Sequence, residues 1–321
     1  MKYNFKITGF GYYLPPNIET SEQLSKKIKK SSDWILSRTG VKERRVSDID
    51  VDKMGAISAK KAIGDKRKPD LIINASGVPK QTIPDTSVFI QKELGYSGIP
   101  SFSVHSTCLS FITALNVAGS LIESKAYSNI LIVSSDRGTR GRNFDEPESA
   151  SILGDASAAI YLEPAKEKSG LIDFDMSSWP EGANLTEVRG GGTNLHPQDT
   201  HTQDKDNLFS MNGPKVFKYT LPKVYKMILD VLNRNNITQE DIDLLIPHQA
   251  SGKAVTAYSK YGGFPEHKVV NIISTTGNCV AVSLPLALAM ALEEKRVSKN
   301  NRIFLVGTGA GLSIACALIS L

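Results

Sequence analysis

An internal repeat constrains the fold of this chain more than any other feature of its sequence. Three pairs of positions keep nearly the same offset, between 170 and 173 residues: Asp70 with Asp243, Cys108 with Asn278, and Asn129 with Asn301. Both stretches alternate helical patterns with short β-rich runs, which are DLIINAS, SFSV and NILIVSS in the first and DLLIPHQ, VVNII and NRIFLVG in the second. Such alternation indicates βαβ units in a mostly parallel sheet. Because the repeat is far longer than solenoid periods, it predicts two βαβαβ halves of an α/β fold about a pseudo-twofold axis.

A polar segment separates the two stretches. Residues 166–213 are rich in Gly, Asn, Asp and His, including the run GGGTNLHPQDTHTQDKDN, and are predicted to form an irregular insertion or cap. The N-terminal half would then cover residues 1–165 and the C-terminal half residues 214–321. A length of 321 residues suits two halves that share one core.

Charge and cysteine content narrow the class of protein. The chain has 38 Lys and Arg against 33 Asp and Glu, and the net charge of +5 is too small and too dispersed to indicate a nucleic-acid partner. Three cysteines are too few for a disulfide framework, which favours free thiols in a reducing compartment. The N-terminus lacks the long apolar core of a signal peptide, and the most apolar stretch, residues 279–292, is too short to span a bilayer. We therefore expect a cytoplasmic protein with no membrane or nucleic-acid contact.

Cys108 stands between the β-rich run SFSV and an apolar-periodic helical stretch. A thiol at a helix N-terminus is expected to favour the thiolate, because free N–H groups and the helix dipole stabilise an anion. Position alone is equally compatible with a buried structural cysteine. The repeat favours a functional role, since the TTGN turn ending at Asn278 occupies the corresponding strand–helix junction and the pseudo-axis would bring the two turns face to face.

His248 follows the run DLLIP at the predicted carboxyl end of a strand, the edge of a parallel sheet where ligands bind. A lone histidine there is usually structural. Beside a cysteine and Asn278, however, an imidazole would suit the stabilisation of an enolate or oxyanion. The last strand ends in GTGAG (307–311), whose backbone N–H groups can approach a substrate closely.

Six segments of the sequence, some of them containing the residues above, resemble a known family. GFGYYLP, SSDWILSRTGVKERR, TCLSF, ILGDASAA, IPHQAS and TTGNCVAVSLPLAL follow one another in the order found in β-ketoacyl-acyl-carrier-protein synthase III. The chain resembles this condensing enzyme of fatty-acid biosynthesis, a member of the thiolase superfamily, nearly from end to end. The resemblance implies a thiolase-like fold of layered α-β-α-β-α structure and an acyltransferase activity in lipid metabolism.

The resemblance also implies roles for individual residues. Cys108 matches the acylated nucleophile, His248 and Asn278 match the decarboxylation pair, and the backbone N–H groups of Cys108 and Ala310 match the oxyanion hole. Further positions match sites that contact substrates or partners: Trp34, Arg38, Thr39 and Ser251 for coenzyme A and its pantetheine arm, Ile83 for the acyl tunnel, and Lys218 and Lys253 for carrier-protein docking. For Ile83 and the two lysines, an ordinary core or surface role remains the alternative.

Three departures from the family pattern fall near thioester binding. His105 and Thr107 precede the nucleophile where small residues are usual, Pro147 lies where a coenzyme-binding arginine is expected, and Ser251 replaces an asparagine.

The implied reaction is ping-pong. An acyl thioester acylates Cys108, and malonyl-acyl-carrier protein is then decarboxylated and condensed to a β-ketoacyl thioester, with neither metal nor cofactor. The resemblance implies acyl carrier protein, acyl-CoA or acyl-carrier thioesters, and a second copy of the chain in a homodimer as partners. Two alternatives stay open: a secondary-metabolism relative that transfers or joins acyl groups, and a non-catalytic acyl-binding or carrier-binding homologue.

Overall fold

The computed structural model describes residues 2–321, and within them a nine-stranded mixed sheet forms the framework. In chain order the strands are β1 (Tyr3–Tyr13), β2 (Ile18–Thr20), β3 (Glu43–Arg45), β4 (Leu71–Asn74), β5 (Ser101–Ser103), β6 (Ile130–Arg137), β7 (Asp155–Pro164), β8 (Gly170–Ser178), β9 (Thr186–Glu187), β10 (Ser210–Met211), β11 (Leu244–Pro247), β12 (Arg302–Gly309) and β13 (Ser313–Ser320). The large sheet has the order β11-β12-β13-β8-β1-β7-β6-β4-β5, while β2–β3 and β9–β10 form separate two-stranded ribbons.

Helices cover both faces of this framework. In chain order they are α1 (Ser21–Ile28), α2 (Ser32–Thr39), α3 (Val51–Ile63), α4 (Thr86–Glu93), α5 (Ser110–Glu123), α6 (Pro147–Ala150), α7 (Gly213–Arg234), α8 (Gly252–Gly262), α9 (Ile273–Thr276) and α10 (Ser283–Glu293). Residues 2–321 contain no helix long and apolar enough to cross a membrane.

The internal repeat is confirmed by the order of the strands. The series β4-β6-β7-β1 of the first half is matched by β11-β12-β13-β8 of the second. A hydrogen bond repeats with it: the Asp70 carboxylate accepts from Asn129 N at 2.9 Å, and the Asp243 carboxylate accepts from Arg302 N at 2.7 Å. Asp70, just before β4, thereby binds the start of the parallel strand β6. Asp243, just before β11, binds the start of the parallel strand β12 in the same way.

The segment 166–213 is not wholly an irregular insertion, because β8 lies within it as a strand of the large sheet. Two aspartates of β8 form ion pairs with one arginine. Asp173 and Asp175 bind the Arg234 guanidinium at 2.6 and 2.7 Å. In the order of the sheet, β8 is the counterpart of β1, and the ribbon β9–β10 lies between β8 and α7 in the chain.

The strand predicted at 269–273 is also wrong. Only an isolated bridge joins Val269 to Leu245 there, and α9 begins at Ile273. The buried Gln249 side chain replaces the missing ladder, since its amide donates to Val270 O at 3.1 Å and accepts from Ile272 N at 3.0 Å. A side-chain amide thus satisfies backbone groups that a neighbouring strand would otherwise pair.

The two halves share a middle layer of helices. Helix α5 contacts β1, β8 and β13, and α10 contacts β1, β7 and β11, so each helix packs on strands of both halves. Helix α3 packs on the part of the large sheet formed by β1, β6 and β7, and α7 packs on the part formed by β8, β12 and β13. The result is the layered α-β-α-β-α arrangement that the resemblance implied.

Candidate active site

Cys108 lies in the turn that connects β5 to α5. The residue before it, Thr107, has a left-handed backbone with φ of 52°, which costs a β-branched residue about 1–3 kcal/mol. Thr107 Oγ1 donates to Ser106 O at 2.7 Å within this turn. The counterpart of Thr107 in the second half is Gly277, with φ of 68°, directly before Asn278. Both halves therefore place a left-handed residue immediately before the residue assigned to the site.

The turn between β12 and β13 lies against the Cys108 turn. The backbone N–H groups of Cys108 and Ala310 lie close enough to the Cys108 sulfur to lower its pKa. A Cβ added to Gly309 would lie only 2.7 Å from Thr107 Oγ1, so glycine permits this close approach. The two N–H groups assigned to an oxyanion hole thus converge on the nucleophile.

The surroundings of Cys108 favour the thiol, whereas its position in the sequence predicted a thiolate. Cys108 is partly exposed, but burial of its sulfur and then the charge of Asp136 raise the thiol pKa to about 12, against the opposing effect of the Cys108 and Ala310 N–H groups. Helix α5 begins only at Ser110, so its dipole does not offset the loss of water around the sulfur.

His248 follows β11 and is held by its own backbone, whose N–H donates to Val306 O at 2.8 Å. The side chain is buried, and burial lowers its pKa to about 4. Within residues 2–321, the buried Nδ1 atom has no hydrogen-bond partner. The imidazole is therefore neutral at physiological pH, with one N–H to donate.

Asn278 is fixed by bonds to both its backbone and its side chain. Its N–H donates to Ile152 O at 2.7 Å, and its carbonyl accepts from Gly154 N at 2.9 Å. The side-chain Oδ1 accepts from Val280 N at 2.9 Å, which leaves the Nδ2 group facing Ala250 O at 3.4 Å. The Asn278 side-chain amide thus directs its N–H donor group toward the segment that carries His248.

Contacts around β12 bring the segments that carry the three residues close together. A Cβ added to Gly307 would lie 2.8 Å from the His248 Cβ and 3.1 Å from Leu109, the neighbour of Cys108. Asn278 in turn meets Ala250, two residues after His248. The segments of Cys108 and Asn278 therefore both contact the segment or strand that borders His248.

A cleft lies next to a small cavity beside His248. The volume of the cleft is about 550 Å³, and its lining includes Arg38, Thr39, Ser251 and Lys253. Residues that the sequence did not single out complete the lining: Glu148, Ile152, Met211, Gly213, Pro214, Phe217, Thr256, Ala257, Lys260 and Tyr261. Phe217 and Ala257 also line a cavity of about 40 Å³ beside His248.

Sequence and structure comparisons agree on one family. Its model, described as 3-oxoacyl-[acyl-carrier-protein (ACP)] synthase III, matches residues 102–180, and the corresponding C-terminal model matches residues 232–321. The chain is 32% identical to the β-ketoacyl-[acyl-carrier-protein] synthase III of Clostridium perfringens (strain SM101 / Type A), with 99% of each chain covered. The chain belongs to this family. The synthase III of Rickettsia bellii is 30% identical, with 98% of each chain covered. The crystal structure of the Aquifex aeolicus enzyme is 28% identical and matches with a TM-score of 0.90, covering 99% of this chain and all of that one.

The residues predicted to contact coenzyme A differ in how accessible they are in this synthase III family member. Arg38 is exposed at the cleft, whereas the Thr39 hydroxyl is buried and bonded to Ile35 O at 2.7 Å and Val41 N at 3.1 Å. Trp34 does not line the cleft; its ring packs on the apolar cluster that includes Ala150.

The departures at Pro147 and Ser251 have clear local structures. Pro147 is the first residue of α6, and the following Glu148 lines the cleft, so the entrance carries a carboxylate near the position where a guanidinium was expected. Ser251 caps α8, because its Oγ accepts from Ala254 N at 3.3 Å. Its hydroxyl is thus engaged by the protein itself.

The three outlying predicted residues lie on the surface. Lys253 is exposed at the cleft, and Lys218 is exposed on α7 outside the cleft lining. Ile83 is 81% exposed and lines no part of the cleft, so within one chain it does not wall the substrate path and is not a core residue.

Asp136 is a site residue that the sequence reasoning missed. Its carboxylate is buried and accepts hydrogen bonds from both halves of the protein. The available signal was an aspartate at the carboxyl end of the buried strand NILIVSS, at the sheet edge where ligands bind.

No group of three or more His, Cys, Asp or Glu side chains among residues 2–321 is arranged to hold a metal ion.

Proposed function

We propose that this chain is a β-ketoacyl-acyl-carrier-protein synthase that uses Cys108 as its nucleophile and His248 with Asn278 as its decarboxylation pair. The close approach of the segments that carry these residues, in a chain that matches a family member over 99% of its length, supports the proposal. It is a transferase of fatty-acid biosynthesis, and its substrates are acyl thioesters. We propose that it acts in the cytoplasm without metal or cofactor.

The first half-reaction is acyl transfer. The Cys108 sulfur attacks the donor carbonyl, the carbonyl oxygen becomes an oxyanion that accepts from Cys108 N–H and Ala310 N–H, and the donor thiol leaves with the proton that Cys108 loses. The product is a thioester on Cys108, which remains reactive toward a carbon nucleophile.

The second half-reaction forms the carbon–carbon bond. Loss of CO₂ from malonyl-acyl-carrier protein leaves an enolate, whose oxygen accepts hydrogen bonds from the neutral His248 imidazole and from Asn278 Nδ2. The enolate carbon attacks the acyl carbonyl on Cys108, the C–S bond breaks, and the sulfur takes up a proton. Fixed donors of this kind lower the barrier by about 2.7–4 kcal/mol each.

Product analysis tests the reaction type. We expect the protein, given an acyl donor and malonyl-acyl-carrier protein, to release CO₂ and form one β-ketoacyl-carrier product per turnover. A secondary-metabolism acyltransferase would move the acyl group without releasing CO₂, and a non-catalytic homologue would do neither. Mass spectrometry of the carrier protein distinguishes the three outcomes.

Donor choice is a further proposal that rests on the entrance residues. Pro147 provides no guanidinium to stack on adenine, and the Ser251 hydroxyl is already engaged as a helix cap. The two losses weaken coenzyme A binding by about 1–3.5 kcal/mol, a factor of roughly five to several hundred. An acyl-carrier donor has no adenine, and Lys218 and Lys253 would attract its acidic surface.

We therefore expect Cys108 to be loaded more efficiently from an acyl-carrier protein, or from an unusual acyl-CoA, than from acetyl-CoA. The measurement is kcat/KM for acylation by carrier and coenzyme A donors with the same acyl group. Pro147→Arg should improve only the coenzyme A donor, while Pro147→Ala serves as the control that removes the ring without adding charge. Rapid loading from acetyl-CoA that Pro147→Arg does not improve would contradict the proposal.

We also propose a homodimer. Strand β5 is an edge strand of the large sheet and carries the exposed apolar side chain of Phe102, and exposed Ile83 lies in the segment before α4. Pairing of β5, or the predicted segment 101–105, with a second copy would continue the sheet, and Ile83 would then wall the neighbouring acyl tunnel.

Sedimentation velocity at micromolar concentration tests this assembly. Phe102→Glu should dissociate the dimer, whereas Leu229→Glu, at a comparably exposed apolar residue on α7, should not. A stable and active wild-type monomer would refute the homodimer.

A further inference from the structure

Asp136 is a buried carboxylate that joins the two halves of the protein. From the first half, it accepts Gly77 N at 2.9 Å and Val78 N at 2.8 Å, both in the segment that follows β4. From the second half, it accepts Ala281 N at 3.1 Å, three residues after Asn278. One side chain therefore ties the segment after β4 to the segment that carries Asn278.

The pseudo-symmetry shows that this carboxylate belongs to one half only. The counterpart of Asp136 at the offset of 172 residues is Thr308, which lines the cavity beside His248. The Gly77–Val78 segment corresponds to Ala250 and Ser251, the residues that follow His248. The duplicated fold thus has a carboxylate on the Cys108 side and a hydroxyl on the His248 side.

The partners of Asp136 within residues 2–321 are backbone amides rather than a cationic side chain. A buried charge without a counter-ion costs several kcal/mol, even when hydrogen bonds reduce that cost. Burial accordingly raises the pKa of Asp136 to about 7, while the N–H donors oppose the shift. At pH 8 the group is mostly ionised, so a negative charge stands inside the site.

This charge lies near the Cys108 turn, because Ser110 Oγ, two residues after Cys108, donates to Ser76 O at 3.2 Å, next to the Gly77 N–H that Asp136 accepts. After burial, Asp136 is the main cause that raises the pKa of the Cys108 thiol, because a nearby anion disfavours the thiolate. Other titratable groups nearby include the buried Cys279, whose thiol pKa is raised by burial and by the charges of Asp155 and Asp136. His248 on the β11 side is neutral, and the exposed His105 has its Nε2 3.2 Å from Gly77 O.

We propose that Asp136 is a positioning residue: its carboxylate fixes the Asn278 segment against the first half, and its negative charge disfavours the Cys108 thiolate. The protonated thiol is a poor nucleophile toward alkylating agents and oxidants, so the charge slows the reaction of free Cys108 with both. The inference rests on the proposed roles of Cys108 and Asn278.

A matched set of four variants tests the charge. Asp136→Asn and Asp136→Ser remove it, Asp136→Glu retains it, and Asp155→Asn neutralises another buried carboxylate. Asp155 accepts from Ser47 N at 2.8 Å and Thr139 N at 2.9 Å, both in the first half. We expect iodoacetamide to alkylate Cys108 about tenfold faster at pH 8 in the neutral Asp136 variants, as a change of one unit in the thiol pKa requires. Asp136→Glu and Asp155→Asn should react at the wild-type rate.

Alkylation needs no substrate, so it reports on Asp136 even if the proposed condensation is wrong. Wild-type rates in both neutral Asp136 variants, or an equal acceleration by Asp155→Asn, would overturn the proposal. If neither neutral variant folds, the wild-type protein still gives an answer. The logarithm of its alkylation rate should rise with pH, flatten near pH 7 as Asp136 ionises, and rise again, whereas a uniform slope from pH 5 to 9 would overturn the proposal.

The positioning part has its own readout. In the folded neutral variants, we expect kcat for decarboxylation of malonyl-acyl-carrier protein to fall about tenfold or more with KM unchanged, because Asn278 loses its support but the cleft does not. Restoration of kcat by Asp136→Glu supports the proposal, while a rise in KM at unchanged kcat contradicts it.

Discussion

Replacing Cys108 with alanine should abolish acyl-enzyme formation and reduce condensation by about 10⁴-fold or more, because no other group at the site can form the thioester. The variant should fold, since Cys108 lies in a turn that is held by its backbone and by Thr107. Intact-protein mass spectrometry after incubation with acyl donors measures the adduct.

Cys279→Ala and Cys316→Ala are the matched controls for the nucleophile. Both cysteines are buried, and burial raises the pKa of each thiol. Cys279 donates to Thr276 O at 3.5 Å, and Cys316 lies on β13, so neither faces the β12–β13 turn that holds Ala310. Both variants should still accept an acyl group, and an adduct that persists on Cys108→Ala would show that the nucleophile is misassigned.

Replacing His248 or Asn278 with alanine should separate the two half-reactions. Each variant should accept the acyl group on Cys108 but lose about 10²–10³-fold in decarboxylation of malonyl-acyl-carrier protein, because each removes one donor to the enolate oxygen. The measurements are the acyl adduct by mass spectrometry and the release of CO₂.

His105→Ala is the control for this pair, since His105 is a second imidazole close to Cys108 in sequence but exposed. It should retain decarboxylation. Loss of acylation together with normal decarboxylation, in either the His248 or the Asn278 variant, would mean that the two roles are assigned wrongly.

Much of the fold was predictable because the duplication is visible in the sequence. The sequence offset identifies Asp70 and Asp243 as corresponding residues, and in the structure each accepts the same hydrogen bond from the start of the neighbouring strand. The offset that relates Cys108 to Asn278 likewise predicted that two junctions would meet, and contacts through Gly307 and Ala250 bring them together.

The features that escaped prediction depend on contacts between distant parts of the chain. The aspartates of β8 look like loop residues until Arg234 of α7 neutralises them. The strand expected at 269–273 is replaced by bonds from the Gln249 side chain, which no local pattern reveals. The raised pKa of the Cys108 thiol results from burial and from the charge of Asp136, whereas its position before a helix predicted a thiolate.

The middle helical layer has a consequence for how this protein loses its structure. Helix α10 is buried over nearly its whole length, and α5 packs on strands of both halves. Neither half could separate without exposing these apolar faces to water, at a cost of about 25 cal/mol per Å² of apolar surface. Slow amide hydrogens of β6 and β12 should therefore exchange through one shared global opening, even though the chain looks like two domains.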